Sequence, residues 1–195
     1  MKEETSVSRA AWQDASEIGR VHVACLHETY TGLMPVEWLA TRTVEERTAL
    51  WKNVIENPVA RSTMAVCVAE QGGEVCGFGS CGPQRVEFVA EMGFKGEFSA
   101  IYVLRRFQRQ RTGLKLMHGL AVALLENGID TAALWCLRDN TGARRFYERL
   151  GGEFLLEREG PEIHAGQIEI VYGWRNLASL VKQLDAWSDA SADSR

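Results

Sequence analysis

Apolar side chains recur at helical spacing through the first third of the chain, and the pattern then changes to that of β-strands. The first helical stripe consists of Ile18, Val21, Cys25 and Leu26. These positions are i, i+3, i+7 and i+8, which is one face of an α-helix. Asp14 with Glu17, and later Thr43 with Glu46, form the capping-box pattern that starts a helix. From Thr63 onward, β-forming residues and glycine turns predict strands instead.

The predicted elements follow an order that is typical of a mixed α/β sheet. The predicted helices are residues 15–30, 36–40, 44–55, 112–127, 141–150 and 177–187. The predicted strands are residues 7–10, 63–70, 75–81, 98–104, 132–137, 153–158 and 167–174. No periodic signal covers residues 82–96, which are expected to form a long loop. The helix between the strands at 98 and 132 predicts a crossover connection within one sheet.

The chain is expected to form one domain with a short C-terminal extension. Its 195 residues suit a single domain, given about 150 residues per domain as a guide. Residues 1–174 carry the α/β pattern, and residues 175–188 follow as a helical extension. The apolar stripe of this extension is Leu177, Leu180, Val181, Leu184 and Trp187. This stripe is expected to pack on the chain's own sheet or to form a homodimer contact. Residues 189–195 are small and polar, which predicts a disordered tail.

Composition narrows the class of protein. The chain is 46% hydrophobic and 25% charged, which is typical of a globular protein and argues against intrinsic disorder. Its net charge of −4 argues against a generally basic nucleic-acid binder. No apolar run approaches the roughly 20 residues of a membrane span, and the N-terminus carries no secretory signal. The five cysteines are odd in number and form no C-x-x-C pair, which favours a reducing cytosol.

Three weaker signals favour structural roles over chemistry. Gly77, Gly79 and Gly82 match G-x-G-x-x-G, but they lie on a predicted strand rather than between a strand and a helix. The four histidines show no metal-ligand spacing, so no metal site is expected. Cys25 follows His22 at helical spacing, but it lies on the apolar stripe, where a buried inert thiol is expected.

A cationic segment between a strand and a helix is the first candidate for chemistry. Residues 105–111 contain four arginines and no acid, so the rest of the chain carries −8. A local cationic cluster on an acidic protein favours a site for an anion. The following helix start, near Thr112, would add unpaired backbone N–H groups, a combination that suits phosphate or pyrophosphate. A solvated arginine loop would explain the segment equally well.

A second segment completes a recognisable pair of motifs. After the strand at residues 132–137, the chain matches N-x-x-A-x-x-F-Y-x-x-x-G. The matching residues are Asn140, Ala143, Phe146, Tyr147 and Gly151. In the first segment, Gln108 and Gly113 match the ends of the motif Q/R-x-x-G-x-G/A. Together, the two segments resemble the GCN5-related N-acetyltransferase (GNAT) family, and the element order agrees over roughly residues 5–174. The stretches at 30–35 and 96–103 are similar to one bacterial branch of it.

The resemblance implies a fold, a cosubstrate and a set of roles. The fold would be a mostly antiparallel sheet with two splayed parallel strands joined by a helix. Acetyl-CoA would be the cosubstrate, with its pantetheine arm along the backbone of Ile101 and Val103. The pyrophosphate would bind the end of the motif at Gln108 and the loop amides of Arg109, Gln110, Arg111, Thr112 and Gly113. Asn140 would contact acetyl-CoA, Tyr147 would be the general acid, and Tyr30 would help to form the acceptor pocket.

An amine acceptor sets the remaining requirements. Such an amine has a pKa of about 10.4, so it arrives protonated, and a base must remove its proton before it attacks. Glu97, at the start of the strand at residue 98, is the candidate base, although a surface acid at a strand end would look the same. The motif's first glycine is Arg111 here, which would be strained if that position needs a positive φ.

Three functions therefore remain open. The first is an N-acetyltransferase that acts directly on a primary amine of a small molecule or a protein. The second is a non-catalytic acyl-CoA sensor on the same fold. The third is an anion-binding or nucleic-acid-binding domain that uses the arginine loop, against which the overall acidity of the chain counts. Tyr147 and Asn140 favour the first, and Arg111 favours the second.

Overall fold

The computed structural model describes residues 4–161 and 166–189, in which the helices and strands follow the predicted order apart from one short helix that the sequence pattern did not predict. The strands are β1 (Ser6–Arg9), β2 (Ala65–Gln71), β3 (Glu74–Pro83), β4 (Gly96–Val103), β5 (Ala132–Leu137), β6 (Glu153–Glu159) and β7 (Ile168–Trp174). The helices are α1 (Ala15–Tyr30), α2 (Val36–Ala40), α3 (Val44–Glu56), α4 (Glu87–Glu91), α5 (Thr112–Glu126), α6 (Thr141–Arg149) and α7 (Leu177–Asp189). Short 3-10 turns precede α1 and α5, at Trp12–Asp14 and Arg105–Phe107.

The strands form one sheet in the order β1-β2-β3-β4-β5-β7-β6. Neighbouring strands are antiparallel except β4 and β5, which are parallel and are joined by α5 as the crossover helix. This arrangement confirms the mixed, mostly antiparallel sheet that the resemblance implies.

The two parallel strands separate soon after they begin. In the described residues, backbone pairing of β4 with β5 is confined to Gly96 with Ala132 and Glu97 with Ala133. The register of β4 on β3 shifts at Ser99, which has no partner residue on β3. An extra residue of this kind bends its strand. The sheet therefore opens into a wedge along the rest of β4, and this wedge positions the candidate site.

Helices cover both faces of the sheet. On one face, α5, α6 and α7 share a core with β4, β5 and β7, centred on Leu120, Leu134 and Tyr172. On the other face, α1 and α3 pack against β2 and β3 around Ile18, Trp51 and Phe78. Because both faces are covered, β5 is a largely apolar strand, as its continuous apolar run predicts.

Strand β3 contains the run that matches G-x-G-x-x-G, and its glycines serve packing. A Cβ added at Gly77 would lie 2.8 Å from the carbonyl oxygen of Tyr102, and one at Gly79 would lie 2.9 Å from that of Ala100. Real Cβ atoms do not approach this closely, so these glycines let β4 lie against β3. The run therefore lies within the sheet, away from any helix start.

Two local predictions were wrong. Asp14 does not cap α1, because its Oδ2 atom accepts from the backbone N–H of Ala11 at 2.7 Å and so closes the 3-10 turn before the helix. Residues 82–96 are not all loop, since they contain α4. Val89 of this helix and Phe94, just after it, are buried in one apolar cluster. A single turn of helix is too short to show a period. By contrast, the hydroxyl of Thr43 does cap α3.

Helix α7 packs within its own chain. Leu177, Leu180 and Leu184 are buried in the core that α5 shares with the sheet. The apolar stripe is therefore unavailable as a homodimer contact. The disordered tail was predicted at residues 189–195. Asp189 is instead the last residue of α7, and residues 190–195 lie outside the described residues. None of the helices in the described part of the chain is long and apolar enough to cross a membrane.

A buried histidine predicts an acid-sensitive fold. Nδ1 of His22 accepts from Nε1 of Trp51 at 2.9 Å, and the imidazole packs on Phe78 and Tyr102. Burial, with Arg47 and Arg42 nearby, lowers the pKa of His22 to about 3. An unfolded histidine binds a proton near pH 6.5, so between pH 6.5 and 3 only the unfolded state gains it.

We therefore expect the free energy of unfolding to be highest above pH 6.5, as far as His22 affects it, and to decrease as the pH is lowered from 6.5 toward 3. The slope due to His22 is at most about 1.4 kcal/mol per pH unit. Urea denaturation over this pH range measures it. His22→Gln retains an acceptor for Trp51 without titrating, so its stability should change less with pH than that of the wild type. If the free energy of unfolding changed with pH to the same extent in both proteins, the acid sensitivity could not be assigned to His22.

Candidate active site

A cavity of about 830 Å³ lies where β4 and β5 separate. Its walls come from the end of α1, from β4 and β5, from the loop before α5, and from α6. The predicted site residues that line it are Tyr30, Ile101, Val103, Gln108, Arg109, Arg111, Gly113, Asn140 and Tyr147. The fold therefore brings most of the residues of both sequence motifs to one cavity.

The loop before α5 has the backbone geometry of an anion cradle. Arg109 and Arg111 adopt left-handed conformations, with φ of 59° and 68°. Arg111 is the residue before α5, and its side chain makes no capping hydrogen bond to the first turn. The first N–H groups of a helix have no partner within the helix. A cradle that ends at an uncapped helix start fits a phosphate-bearing ligand.

Glycine at position 113 lets two helices approach behind this cradle. A Cβ at Gly113 would lie 3.2 Å from the ring of Phe146 on α6. Gly113, the motif glycine that the chain retains, therefore lies at the contact between α5 and α6. The other motif glycine is replaced by Arg111, which adopts a left-handed conformation.

Three polar side chains of the motif brace the loop. Nε2 of Gln108 donates to the carbonyl of Val103 at 3.0 Å, and Nε2 of Gln110 donates to that of Arg106 at 2.7 Å. The hydroxyl of Thr112, which is 1% exposed, lies 3.2 Å from the carbonyl of Phe107. Gln110 and Thr112 are not among the cavity-lining residues of the described chain. Their side chains therefore fit a bracing role better than direct contact with a ligand.

The four arginines of the cationic segment have different partners. The backbone N–H of Arg105 donates to Oε2 of Glu28 at 2.7 Å, and its guanidinium donates to the carbonyl of Glu28 at the end of α1. Arg106 pairs with Glu74 and does not line the cavity in the described structure. Arg105, Arg109 and Arg111 do line it, together with Arg149 from α6. Part of the cationic segment therefore holds the loop to the rest of the protein.

Tyrosine side chains meet deep in the cavity. The hydroxyl of Tyr30 interacts with the side chains of Tyr102 and Asn140, and burial raises the pKa of Tyr30. Burial also raises the pKa of Tyr147, which is 8% exposed, and nearby Cys136 and Tyr30 add to the effect. Oδ1 of Asn140 accepts from the N–H of Ala143 at 3.2 Å, which makes Asn140 the N-cap of α6. All four side chains are therefore neutral donors or acceptors at ordinary pH.

The position of Glu97 does not fit the expected base. Both carboxylate oxygens of Glu97 accept from the guanidinium of Arg85, Oε1 from Nη2 at 2.5 Å and Oε2 from Nε at 3.0 Å. The side chain of Glu97 is 6% exposed. Glu97 does not line the cavity in the described residues. Its carboxylate is instead bound by a guanidinium at the closed end of the wedge, where β4 still pairs with β5.

Comparison with known proteins identifies the family. A sequence model described as the acetyltransferase (GNAT) family matches residues 26–152. The chain belongs to the GNAT family. It is 32% identical over 177 residues to YuaI, an uncharacterized N-acetyltransferase of Bacillus subtilis (strain 168), which covers 90% of this chain and 95% of that relative. It is 33% identical over 141 residues to an uncharacterized N-acetyltransferase of Archaeoglobus fulgidus, covering 72% of this chain and 88% of that one.

Solved structures agree on the fold. The PaiA N-acetyltransferase of Thermoplasma acidophilum, solved with coenzyme A, superposes with a TM-score of 0.67 at 15% identity, covering 88% of this chain and 99% of that one. The yncA protein of Salmonella typhimurium, solved with acetyl-CoA, gives a TM-score of 0.62 at 18% identity, covering 89% and 94%. Family membership makes this GNAT protein an acetyl-CoA-dependent N-acetyltransferase, and the cradle before α5 fits the phosphates of that cosubstrate.

Sequence reasoning missed many of the residues that line the cavity of this acetyltransferase, and four of them bear on its shape and charge. They are Glu28, Tyr102, Trp135 and Trp187. Glu28 and Tyr102 lie within elements that the sequence predicts, but nothing in their spacing distinguishes a cavity side chain from a surface one. The guanidinium of Arg158 lies 3.9 Å from the ring centre of Trp135, which fixes that indole. Trp187 reaches the cavity from α7, outside the matched motifs.

Proposed function

We propose that this acetyltransferase moves the acetyl group from acetyl-CoA directly to a primary amine of a small molecule or a protein. One observation carries the proposal: in the described residues, Glu28 is the carboxylate among the groups that line the cavity. Positive charge comes from four lining arginines, which are Arg105, Arg109, Arg111 and Arg149. An anionic cosubstrate matches the arginines, and a cationic acceptor matches the carboxylate.

We assign acetyl-CoA to the part of the cavity that is lined by the unpaired edge of β4 and by the loop after β4. This part is called the cofactor half of the cavity. Backbone groups of Ile101 and Val103 would bind the pantetheine arm, although Gln108 already occupies one position on the carbonyl of Val103. The loop of residues 109–113 would hold the pyrophosphate, and Asn140 would contact the pantetheine arm. When bound, acetyl-CoA supplies a thioester carbonyl that an amine can attack.

Glu28 is the proposed acceptor-side carboxylate. An amine whose pKa is about 10.4 is protonated at neutral pH and cannot attack until it loses that proton. Oε2 of Glu28 is held by the backbone N–H of Arg105, which fixes the side chain at the end of α1. Glu28 would attract the ammonium group, orient it beside Tyr30 and accept its proton, directly or through water.

Direct transfer is favoured over a cysteine intermediate. Cys25 and Cys136 line the cavity, and burial raises the pKa of each thiol to about 12. The thiolate is the nucleophilic form, so neither cysteine is activated at neutral pH. The amine nitrogen would therefore bond to the acetyl carbon as the carbon–sulfur bond breaks, and Tyr147 would give its proton to the departing sulfur. A backbone N–H of the bent β4 would stabilise the oxyanion.

A panel of acceptors tests the proposal. Thiol release from acetyl-CoA should be stimulated by primary amines, such as polyamines and peptides with free amino groups, and not by matched alcohols or carboxylates. Saturable amine-dependent turnover is the expected result. Saturable acetyl-CoA binding with no turnover on any amine would contradict the proposal and return the acyl-CoA sensor to consideration.

Partners and location follow as further parts of the proposal. We propose that acetyl-CoA and an amine are the partners, with no nucleic acid, metal or membrane involved. All five cysteines are free, which is compatible with a reducing cytosol as the proposed location.

A further inference from the structure

Helix α7 runs back along α5 and ends beside the start of that helix. The backbone N–H of Leu177 donates to the carbonyl of Asp130, just beyond the end of α5, at 2.9 Å. Asp185 then lies 2.9 Å from Nε2 of His118 in the middle of α5. Nη1 of Arg111 finally donates to the carbonyl of Trp187, in the last turn of α7, at 2.5 Å. The two helices are therefore antiparallel, and the C-terminus of α7 meets the loop before α5.

This contact puts part of the C-terminal extension into the cofactor half of the cavity. Trp187 and Arg111 both line the cavity, beside Arg109 and Gly113. The family model ends at residue 152, so α7 lies beyond the matched region. A residue outside the family motif is thus placed against the loop that would hold the pyrophosphate.

The end of α7 carries negative partial charge, so a diphosphate could bind beside it only with a cation nearby. The last carbonyls of a helix have no partner within the helix, and they carry the negative end of the helix dipole. The end of α7 would therefore repel a diphosphate bound in the adjacent cradle. The guanidinium of Arg111, a residue of the cavity lining, donates to the carbonyl of Trp187 at this helix end. It neutralises this repulsion from a position that a glycine would leave empty.

We propose that Arg111 and the end of α7 form an additional wall of the acetyl-CoA site. Arg111 shields the diphosphate from the helix terminus, and the Trp187 indole closes the cavity beside it. The backbone of Arg111 has a φ of 68°, which costs free energy that glycine would not lose. The arginine at the position of the motif glycine is therefore a gain of binding function rather than a loss of the cradle.

Calorimetric titration with CoA tests this inference without reference to turnover or to any acceptor. Arg111→Gly restores the motif residue and relieves the positive φ, yet we expect it to weaken CoA binding about tenfold. Arg111→Ala should weaken it by a similar factor, and Trp187→Ala should do the same. Arg106→Ala is the matched control, because it removes one arginine of the same segment that pairs with Glu74 outside the cavity. Its Kd should stay within about twofold of the wild type.

The opposite results would overturn the inference. Arg111→Gly binding CoA as tightly as the wild type, or more tightly, would show that the arginine only strains the cradle. An unchanged Kd in Trp187→Ala would remove α7 from the site. Trp187→Phe, which keeps an aromatic ring, covers the case in which the alanine variant does not fold. Dephospho-CoA should show the same loss in Arg111→Ala, whereas a loss confined to CoA would overturn the assignment to the diphosphate.

Discussion

Replacing Tyr147 with phenylalanine should lower kcat about a hundredfold and leave the Kd for acetyl-CoA within about twofold. A positioned general acid contributes at least about 100-fold, and this substitution removes its proton and little else. Tyr147 is buried on α6, where Phe146, Tyr172 and Trp174 surround its ring, so a phenylalanine ring can occupy the same space. Steady-state kinetics with a saturating amine, together with calorimetry, separates the effect on chemistry from the effect on binding.

A neighbouring tyrosine provides the matched control. The ring of Tyr172 lies 6.2 Å from that of Tyr147, and Tyr172 does not line the cavity in the described residues. Its hydroxyl donates to Glu148 at 2.5 Å and accepts from Arg144 at 3.2 Å, so it holds α6 against β7. Tyr172→Phe removes the same atom from the same core. It should lower the melting temperature while kcat stays within about threefold. Equal losses of kcat in both variants would contradict the acid role of Tyr147.

The pH profile gives an independent check on Tyr147. Burial raises its pKa, so Tyr147 stays protonated throughout the ordinary range and is lost as an acid only at strongly alkaline pH. The acceptor amine must lose its own proton to react. Because Glu28 would bind the protonated amine and take its proton, we expect kcat/KM to stay level from neutral pH toward the pKa of the amine, with no falling limb from Tyr147 below about pH 10.

Replacing Glu28 with glutamine should lower kcat/KM for a cationic amine about a hundredfold. In the wild type the backbone N–H of Arg105 lies 2.7 Å from Oε2 of Glu28. The glutamine amide keeps an acceptor for this N–H, so the end of α1 should stay in place. It loses the charge that attracts an ammonium group and the basicity that removes its proton. Kinetics with varied amine at saturating acetyl-CoA measure the loss, and the Kd for acetyl-CoA should not increase.

Glu97→Gln is the control with the same change of charge. Its carboxylate is held by Arg85 outside the cavity lining, so its loss should affect stability more than rate. We expect kcat/KM within about fivefold of the wild type, with a lower melting temperature because Arg85 loses its partner. The reverse pattern, a large loss of rate in Glu97→Gln and little in Glu28→Gln, would restore Glu97 as the base and refute the role of Glu28.

Much of the architecture was predictable because it depends on local spacing. The stripe on α1, the Thr43 cap of α3 and the continuous apolar run of β5 act over a few residues each, so the sequence shows them directly. Asn140 is a similar case, since its cap of α6 needs only the N–H of Ala143, three residues further on. The short helix α4 was missed because one turn has no measurable period.

The candidate site was predictable only where a motif carries it. The second motif indicated Asn140 and Tyr147, and the structure brings both to the cavity. Glu97 looked equally suitable in sequence, at the start of a strand in the same site. Its partner Arg85 lies 12 residues earlier in the stretch predicted as loop, and no pattern links the two residues. An ion pair between side chains of this kind depends on where the backbone folds them.

By itself, the sequence determined all the helices and strands except α4, their order, the mixed sheet and the two motifs that place this chain among acetyltransferases. These depend on periodicity and capping within one element, or on backbone turns that particular residues allow. Only the tertiary structure decided which charged side chains reach the cavity and which are bound elsewhere. It also decided that the end of α7 meets Arg111, 76 residues earlier in the chain. Such contacts depend on the packing of distant elements, which spacing along the chain does not encode.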